Sequence, residues 1–248
     1  MTRHFIPPVA ASFALVLVCT PSPARAAHGT IDLSWDVCTP VVSDIASPVA
    51  GPLRVVASVL GNDQTHKAYS VIFQLGDASD QVPDAWRFDA EGCQGLPLIQ
   101  INHLPPADLA PACPAFSGNE VPLTLKFYSP MPLDSGLPTT LMRGVMASSY
   151  LSPRTADPGQ RYHLASFVFD HTNSVIGPTT PGVGCGGFET AIFIKLLVGE
   201  RPGPTCAYLS ASDDIAYPFD AGNILVSVNG SVPAAQTTWG LIKSAYRR

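Results

Sequence analysis

The residues with the clearest chemistry in this sequence are its cysteines. Six are present, and the five that follow residue 26 are Cys38, Cys93, Cys113, Cys185 and Cys206. None belongs to a C-x-x-C pair, and no histidine lies two to five residues from any of these five, so no zinc site is predicted. Five cysteines can pair in several ways. Disulfides between sequence neighbours, Cys93 with Cys113 and Cys185 with Cys206, are the expected pairs, because each closes a Pro/Gly-rich loop of about 20 residues that a crosslink stabilises by about 3 kcal/mol. Cys38 is then left as a free and buried thiol.

Other sequence motifs that would indicate a catalytic, metal-binding or phosphate-binding site are missing or weak. No G-x-S-x-G and no H-E-x-x-H motif occurs, and the histidines are scattered along the chain. The acidic loops at 77–84 and 212–214 could supply oxygen ligands to calcium, but aspartates that form turns are the simpler interpretation. The glycine-rich segment 182–187 is not followed by the helix that a phosphate-binding loop needs. The sequence predicts no catalytic residue, no metal site and no cofactor, although a hydrolytic triad whose members meet only in space stays open.

Two tryptophans could stack on a ligand. Trp35 lies on the apolar face of an alternating segment, which predicts a place in the core. Trp86 follows a loop and is the candidate for ligand stacking. A carbohydrate-binding module would need Trp86, Tyr128 and Tyr150 to be exposed on one face.

The amino-acid composition indicates which kind of secondary structure holds these residues in place. Of 248 residues only 13% are charged, with four Lys, four Glu and fifteen Asp, while Pro and Gly number 25 and 20. Lys and Glu are good helix formers and Asp is a turn former, so a helical bundle or coiled coil is excluded. A hydrophobic content of 46% excludes a disordered chain. A net charge of -5 argues against a basic nucleic-acid-binding surface.

Hydrophobic periodicity indicates about ten short strands separated by turn residues. The fold class predicted is therefore all-β, a single sandwich of about ten strands with long Pro/Gly-rich loops closed by disulfides. Residues 104–120 hold four prolines and are predicted to be a long stapled loop. The predicted strands are 31–37, 53–60, 69–75, 86–88, 98–101, 123–128, 140–147, 162–170, 191–198 and 224–228.

The two ends differ from the middle. Residues 1–26 combine a basic start, an apolar run and the small-x-small sequence Ala24-Arg25-Ala26, which is typical of a cleaved signal peptide. The sandwich is then expected over 27–232. Residues 233–248 form a tail, in which Trp239, Ile242 and Tyr246 would share one face of a short helix. This tail is either a docking segment or a helix packed on its own domain.

Four segments resemble uncharacterised exported proteins of environmental Gram-negative bacteria with an Ig-like or cohesin-like β-sandwich. They are 29–38, 82–88 followed by Cys93, 162–167 followed by Cys185 and Cys206, and 238–243. The resemblance implies the fold and export. It implies no activity.

The functional prediction is an exported, non-catalytic structural or adhesion/interaction module at the cell envelope, secreted, periplasmic or on the cell surface. Its partner would be a protein or a glycan, with no nucleic acid and no membrane span. A carbohydrate-binding module is the main alternative, and a hydrolase with an unrecognised site is the weaker one.

Overall fold

The computed structural model describes residues 29–46, 51–61, 65–79, 81–90, 92–95, 99–116, 123–129, 142–177, 184–197, 208–211, 216–218 and 220–230. Within these ranges the chain forms thirteen strands and one turn of 3₁₀ helix at Asp84–Trp86. No helix in this part of the chain is long and apolar enough to cross a membrane. The strands are β1 (Thr30–Trp35), β2 (Asp44–Ile45), β3 (Pro52–Leu60), β4 (Thr65–Gly76), β5 (Ile99–Asn102), β6 (Leu123–Ser129), β7 (Met142–Thr155), β8 (Arg161–Asp170), β9 (Ile192–Leu196), β10 (Tyr208–Ala211), β11 (Ala216–Pro218), β12 (Asp220–Ala221) and β13 (Leu225–Val228).

The strands form two sheets, which confirms the all-β prediction. The five-stranded sheet has the order β12-β1-β3-β8-β5. In the eight-stranded sheet the path β11-β10-β4-β9-β13-β2 is extended by β7, which pairs with β4, and by β6, which pairs with β7. The long strand β4 is the centre of this sheet, because β7 lies along one edge while β10 and β9 share the other.

The core lies between the inner faces of the two sheets. Alternation on β1 places Ile31, Leu33 and Trp35 there, each at most 1% exposed, as the sequence predicts. Aromatic rings fill the centre, where Phe73 of β4 meets Phe167 of β8 edge to face at 4.5 Å. The Tyr69 hydroxyl donates to the backbone oxygen of Leu164 at 2.6 Å and so joins one sheet to the other.

Nine of the ten predicted strands are present, and the prediction for 86–88 is wrong. Trp86 ends the 3₁₀ turn, whose Trp86 N–H donates to the oxygen of Pro83 at 2.8 Å. The strands that the sequence did not indicate, β2 and β10 to β12, are two to four residues long. Such short segments carry too few residues to show an alternating apolar pattern. They are strands because each one pairs with a neighbouring strand.

The predicted disulfide pairing is wrong. The described bonds are Cys38–Cys113 and Cys93–Cys185, with sequence separations of 75 and 92 residues. Cys38 is therefore bonded and not free, while Cys206 lies outside the described residues. Closing a longer loop costs only slightly more entropy, so the sheets decide which cysteines meet, and nearness in sequence does not.

A candidate binding groove beside the stapled loop

The chain between β5 and its next contact with β8 is an Ω loop, residues 103–114. β5 pairs with β8, and the chain returns to the same edge of β8 at Ala115, which forms a bridge with His163. The His163 N–H donates to the oxygen of Pro114 at 2.9 Å and closes the base of the loop. Compact loops of this kind on a rigid sheet are frequent sites of function.

A disulfide and a small apolar cluster hold the Ω loop against the outer face of the five-stranded sheet. The Cys38–Cys113 bond ties the end of the loop to the segment after β1. Leu109 packs beside this bond on Val56, an outward-facing residue of β3, and all four residues are buried. Of the loop that the sequence predicted at 104–120, the described part, residues 104–116, is present and stapled, but to Cys38 and not to Cys93, while residues 117–120 lie outside the described residues.

An arginine fork is the second anchor of the loop. Arg54 Nη1 and Nη2 donate to the two carboxylate oxygens of Asp108 at 3.3 and 2.8 Å. On its other side Arg54 Nε lies 3.3 Å from Asp36 Oδ1, and Nη2 donates to the backbone oxygen of Asp36 at 3.1 Å. The hydrogen bonds from Arg54 hold the pKa of Asp108 below its usual value. Arg54 is therefore held in place with its charge balanced by two carboxylates.

A groove of about 600 Å³ lies between the Ω loop and the strands beside it. Its floor is one cross-strand row of the five-stranded sheet, in which Val168 of β8 lies between Arg54 of β3 and Gln100 of β5. Its volume is within the range of ligand sites, about 300–1,000 Å³. The lining is Asp36, Pro52, Arg54, Gln100, Asn102, His103, Leu104, Pro105, Pro106, Lys126 and Val168.

Lys126 of β6 is the uncompensated cation of the groove. Its side chain is exposed, and no carboxylate of the described residues forms an ion pair with it. Burial lowers the pKa of the His103 imidazole, and the positive charge of Lys126 lowers it further. His103 is consequently neutral near pH 7, and neither of its ring nitrogens has a hydrogen-bond partner in the described structure.

The described lining of the groove offers groups that bind rather than groups that react. Among the described residues it contains no Ser, Thr, Cys or Tyr side chain, so none of them places a hydroxyl or thiol beside His103. No described carboxylate orients the His103 ring, because neither ring nitrogen has a hydrogen-bond partner in this part of the structure. The arrangement offers amides, a free cation and apolar surface to a ligand.

Trp86 cannot stack on a ligand in this structure, contrary to the sequence prediction. It is 0% exposed and packs against His171, with ring centroids 4.3 Å apart, and against Phe188. Tyr128 and Tyr150 are 6% and 3% exposed. The carbohydrate-binding hypothesis that depended on these aromatic rings therefore fails, because a sugar cannot reach them.

Sequence reasoning missed a buried polar cluster next to Trp86. The ring of His171 lies 3.1 Å from the Ser174 hydroxyl through Nδ1, and Gln94 Nε2 donates to that hydroxyl and to the oxygen of Ala85. A histidine beside a serine has the composition of a catalytic pair. His171 is 0% and Ser174 8% exposed, so the cluster is part of the packing around the Cys93–Cys185 bond and not an open site.

The described part of the acidic loop at 77–84 forms a turn. Asp77 Oδ1 accepts the N–H groups of Ser79 at 2.8 Å and Gln81 at 3.0 Å, as expected for a turn-forming aspartate. In the part of the chain that the structure describes, no three His, Cys, Asp or Glu side chains are grouped to hold a metal. Asp80 and the acidic pair at 213–214 lie outside the described residues.

The two ends of the chain also lie outside the described residues. This applies to the predicted signal peptide, residues 1–26, and to the tail 233–248 with Trp239, Ile242 and Tyr246.

No protein-family model and no curated protein sequence matches this chain. Solved structures of cohesin modules align with it over most of their length. For the cohesin module of a family 33 glycoside hydrolase from Clostridium perfringens, identity is 9%, coverage is 83% of this chain and 99% of that one, and the TM-score is 0.37. A type II cohesin domain from the cellulosome of Acetivibrio cellulolyticus has 9% identity, covers 82% of this chain and 95% of its own, and has a TM-score of 0.39. A non-cellulosomal cohesin from the archaeon Archaeoglobus fulgidus has 10% identity, covers 86% of this chain and 98% of its own, and has a TM-score of 0.36. The β-sandwich layout of this chain rests on its own two sheets.

Proposed function

We propose that this chain is an exported, non-catalytic β-sandwich that works as an interaction module at the cell envelope and binds its partner in the Ω-loop groove. The observation that carries the proposal is the groove itself. The Cys38–Cys113 bond and the Arg54 fork fix its walls before any ligand arrives. A pre-formed surface binds without first losing conformational entropy, which favours recognition.

No nucleophile lies among the described residues of the groove lining, which supports binding over catalysis. The histidine–serine pair at His171 and Ser174 is closed to substrate by burial. The imidazole of His103 has no hydroxyl beside it to activate among the described lining residues.

Two features support export. Residues 1–26 have the charge and hydropathy pattern of a signal peptide. The two described disulfides fit an oxidising compartment, since such bonds are rare in the reducing cytosol.

A photo-crosslinking comparison tests the proposal. The photoreactive amino acid benzoylphenylalanine replaces either Gln100, in the groove, or Lys195, an exposed residue of β9 in the other sheet. After irradiation in the producing cells, discrete adducts from position 100 and none from position 195 are the expected result. Adducts of equal yield at both positions, or none at position 100, contradict the proposal.

A further inference from the structure

We infer that the Ω-loop groove binds an extended peptide segment that carries a carboxylate, and that Lys126 is the residue that pairs with that carboxylate. The inference rests on the proposed function and names the class of partner. Three properties of the groove lead to it: its free charge, the spacing of its amides and the character of its apolar wall.

The two cations among the described groove residues differ in how much of their charge is already paired. The guanidinium of Arg54 is already engaged by Asp108 and Asp36, so it has little charge left for a ligand. Lys126 is exposed and has no acidic partner among the described residues, so its charge is available. An ammonium group is a compact point charge, whereas the planar arginine fork suits bidentate binding of a carboxylate or a phosphate. Among the described residues the arginine fork of the groove is already paired with Asp108, which leaves the Lys126 ammonium to pair with one anionic group of a ligand. A carboxylate is the anion that an ordinary peptide side chain carries.

The two side-chain amides of the groove suit an extended peptide chain. Gln100 and Asn102 are two residues apart on β5, so both side chains face the groove. Each side-chain amide has N–H donors and a carbonyl acceptor, the same pair that a peptide unit presents. Neither makes a side-chain hydrogen bond within the described structure. Their spacing of about 7 Å equals the two-residue repeat of an extended peptide, so a peptide lying along β5 keeps register with both amides.

The apolar wall favours a peptide over a glycan. Leu104, which is 50% exposed, and its neighbours Pro105 and Pro106 present aliphatic surface along the Ω-loop side. Among the described residues of the groove lining there is no Trp, Tyr or Phe ring, and the stacking candidate Trp86 is buried. Aliphatic surface suits the apolar side chains of a peptide better than it suits a sugar, which stacks on indole and phenyl rings.

Retention of defined peptide pools tests the inference. The probes are three hexapeptide pools in which a central position is fixed as glutamate, glutamine or lysine and the other positions are randomised. Each pool passes over the immobilised full chain without its predicted signal peptide, and mass spectrometry measures retention. We expect the glutamate pool to be retained about tenfold more than the lysine pool, because the change from glutamate to lysine replaces an attraction to Lys126 by a repulsion, and tenfold corresponds to about 1.4 kcal/mol.

Three variants make this test specific. Lys126→Glu should reverse the preference, and Lys126→Gln should abolish it without reversal. Lys195→Glu carries the same charge change at an exposed position of β9, a strand of the same eight-stranded sheet that does not line the groove, and should keep the wild-type preference. Near-ultraviolet circular dichroism confirms that each variant is folded.

The outcomes separate the inference from the function on which it rests. Equal retention of the three pools, retention of none, or a glutamate preference that persists in Lys126→Glu overturns the acidic-peptide inference. If position 100 still crosslinks a partner in that case, the interaction function stands and only the class of partner is wrong. If position 100 yields no adduct, the proposed function itself fails.

Discussion

At the scale of single residues, two histidines are enclosed by the fold. His163 lies on β8 beneath the Ω loop and His171 lies beside Trp86, and both are 0% exposed. Burial lowers the pKa of His163 to about 4, partly opposed by the hydrogen bond that its Nδ1 makes with the oxygen of His103. Burial lowers the pKa of His171 to about 3. Both imidazoles are therefore neutral in the folded protein near pH 7.

These neutral histidines should make the fold sensitive to acid. An unfolded histidine has a pKa near 6.5, so below that pH the unfolded chain binds protons that the folded chain excludes. The stabilisation is complete above pH 6.5 and is lost as the pH falls toward the folded pKa values. We expect the free energy of unfolding to fall by about 1.4 kcal/mol per pH unit for each histidine. Denaturant titrations across this range measure the slope.

A histidine variant isolates this contribution from that of the carboxylates. His171→Gln removes one of the two groups, so its stability should fall less steeply with acid than that of the wild type, whatever its stability at neutral pH. Identical slopes for the two proteins would show that His171 is not kept neutral by the fold.

At the scale of elements, β7 is shaped to fit an aromatic ring of its neighbour. Gly144 pairs with Phe73 of β4, and a Cβ added at Gly144 would overlap the Phe73 ring. Phe73 has no free space into which to retreat, because it packs edge to face on Phe167. The glycine is therefore required by close packing between the sheets.

Gly144→Ala should destabilise the protein by about 1–3 kcal/mol through overpacking. Gly51 is the matched control, since a Cβ there meets nothing within 4 Å. Urea unfolding of both variants measures the difference. A Gly144→Ala protein as stable as Gly51→Ala would contradict the packing described for β7 and β4.

Some of the strands and turns could be predicted from the sequence, and others could not. Strands with an apolar face, such as β1 and β4, could be predicted because alternation is a local signal. The stretch at 86–88 could not, since Trp86 and Phe88 are buried by a 3₁₀ turn and an extended segment that together imitate a strand. The Ω loop could be located from its prolines. Its staple could not, because Cys38 approaches Cys113 only after β1 and the loop meet on one sheet.

At the scale of the whole molecule, the two disulfides join parts of the chain that are remote in sequence. In the chain-entropy model, loops of 75 and 92 residues correspond to about 4–5 kcal/mol of stabilisation each. We expect Cys38→Ser/Cys113→Ser and Cys93→Ser/Cys185→Ser to lose stability on this scale. Guanidinium unfolding of the two double variants measures the loss.

The pairing itself has a covalent readout. Alkylation of the unfolded, non-reduced chain without residues 1–26, followed by peptide mapping, should label Cys206 and leave Cys38 unlabelled, because Cys38 is bonded to Cys113. Alkylated Cys38, or a peptide that joins Cys93 to Cys113, would contradict the described connectivity.

The candidate site is formed only when the whole molecule has folded. Its residues come from the segment after β1, from β3, β5, β6 and β8, and from the Ω loop, so no contiguous sequence pattern predicts it. Lys126 and Gln100 look like ordinary exposed strand residues until two edge strands and a loop bring them around one groove. The sequence could exclude whole classes of chemistry, but it could not locate the surface that the fold creates.

The most direct test of the central claim is to map where a peptide binds. In the nuclear magnetic resonance spectrum of the full chain without residues 1–26, titration with the glutamate-fixed hexapeptide pool should shift backbone amides along β5, at His103 and Leu104 of the Ω loop, and around Lys126. Amides of β9 and β13, which do not line the groove, should stay unchanged. Shifts concentrated on β9 and β13, or no shifts at any peptide concentration, would contradict the claim that the Ω-loop groove is the binding surface.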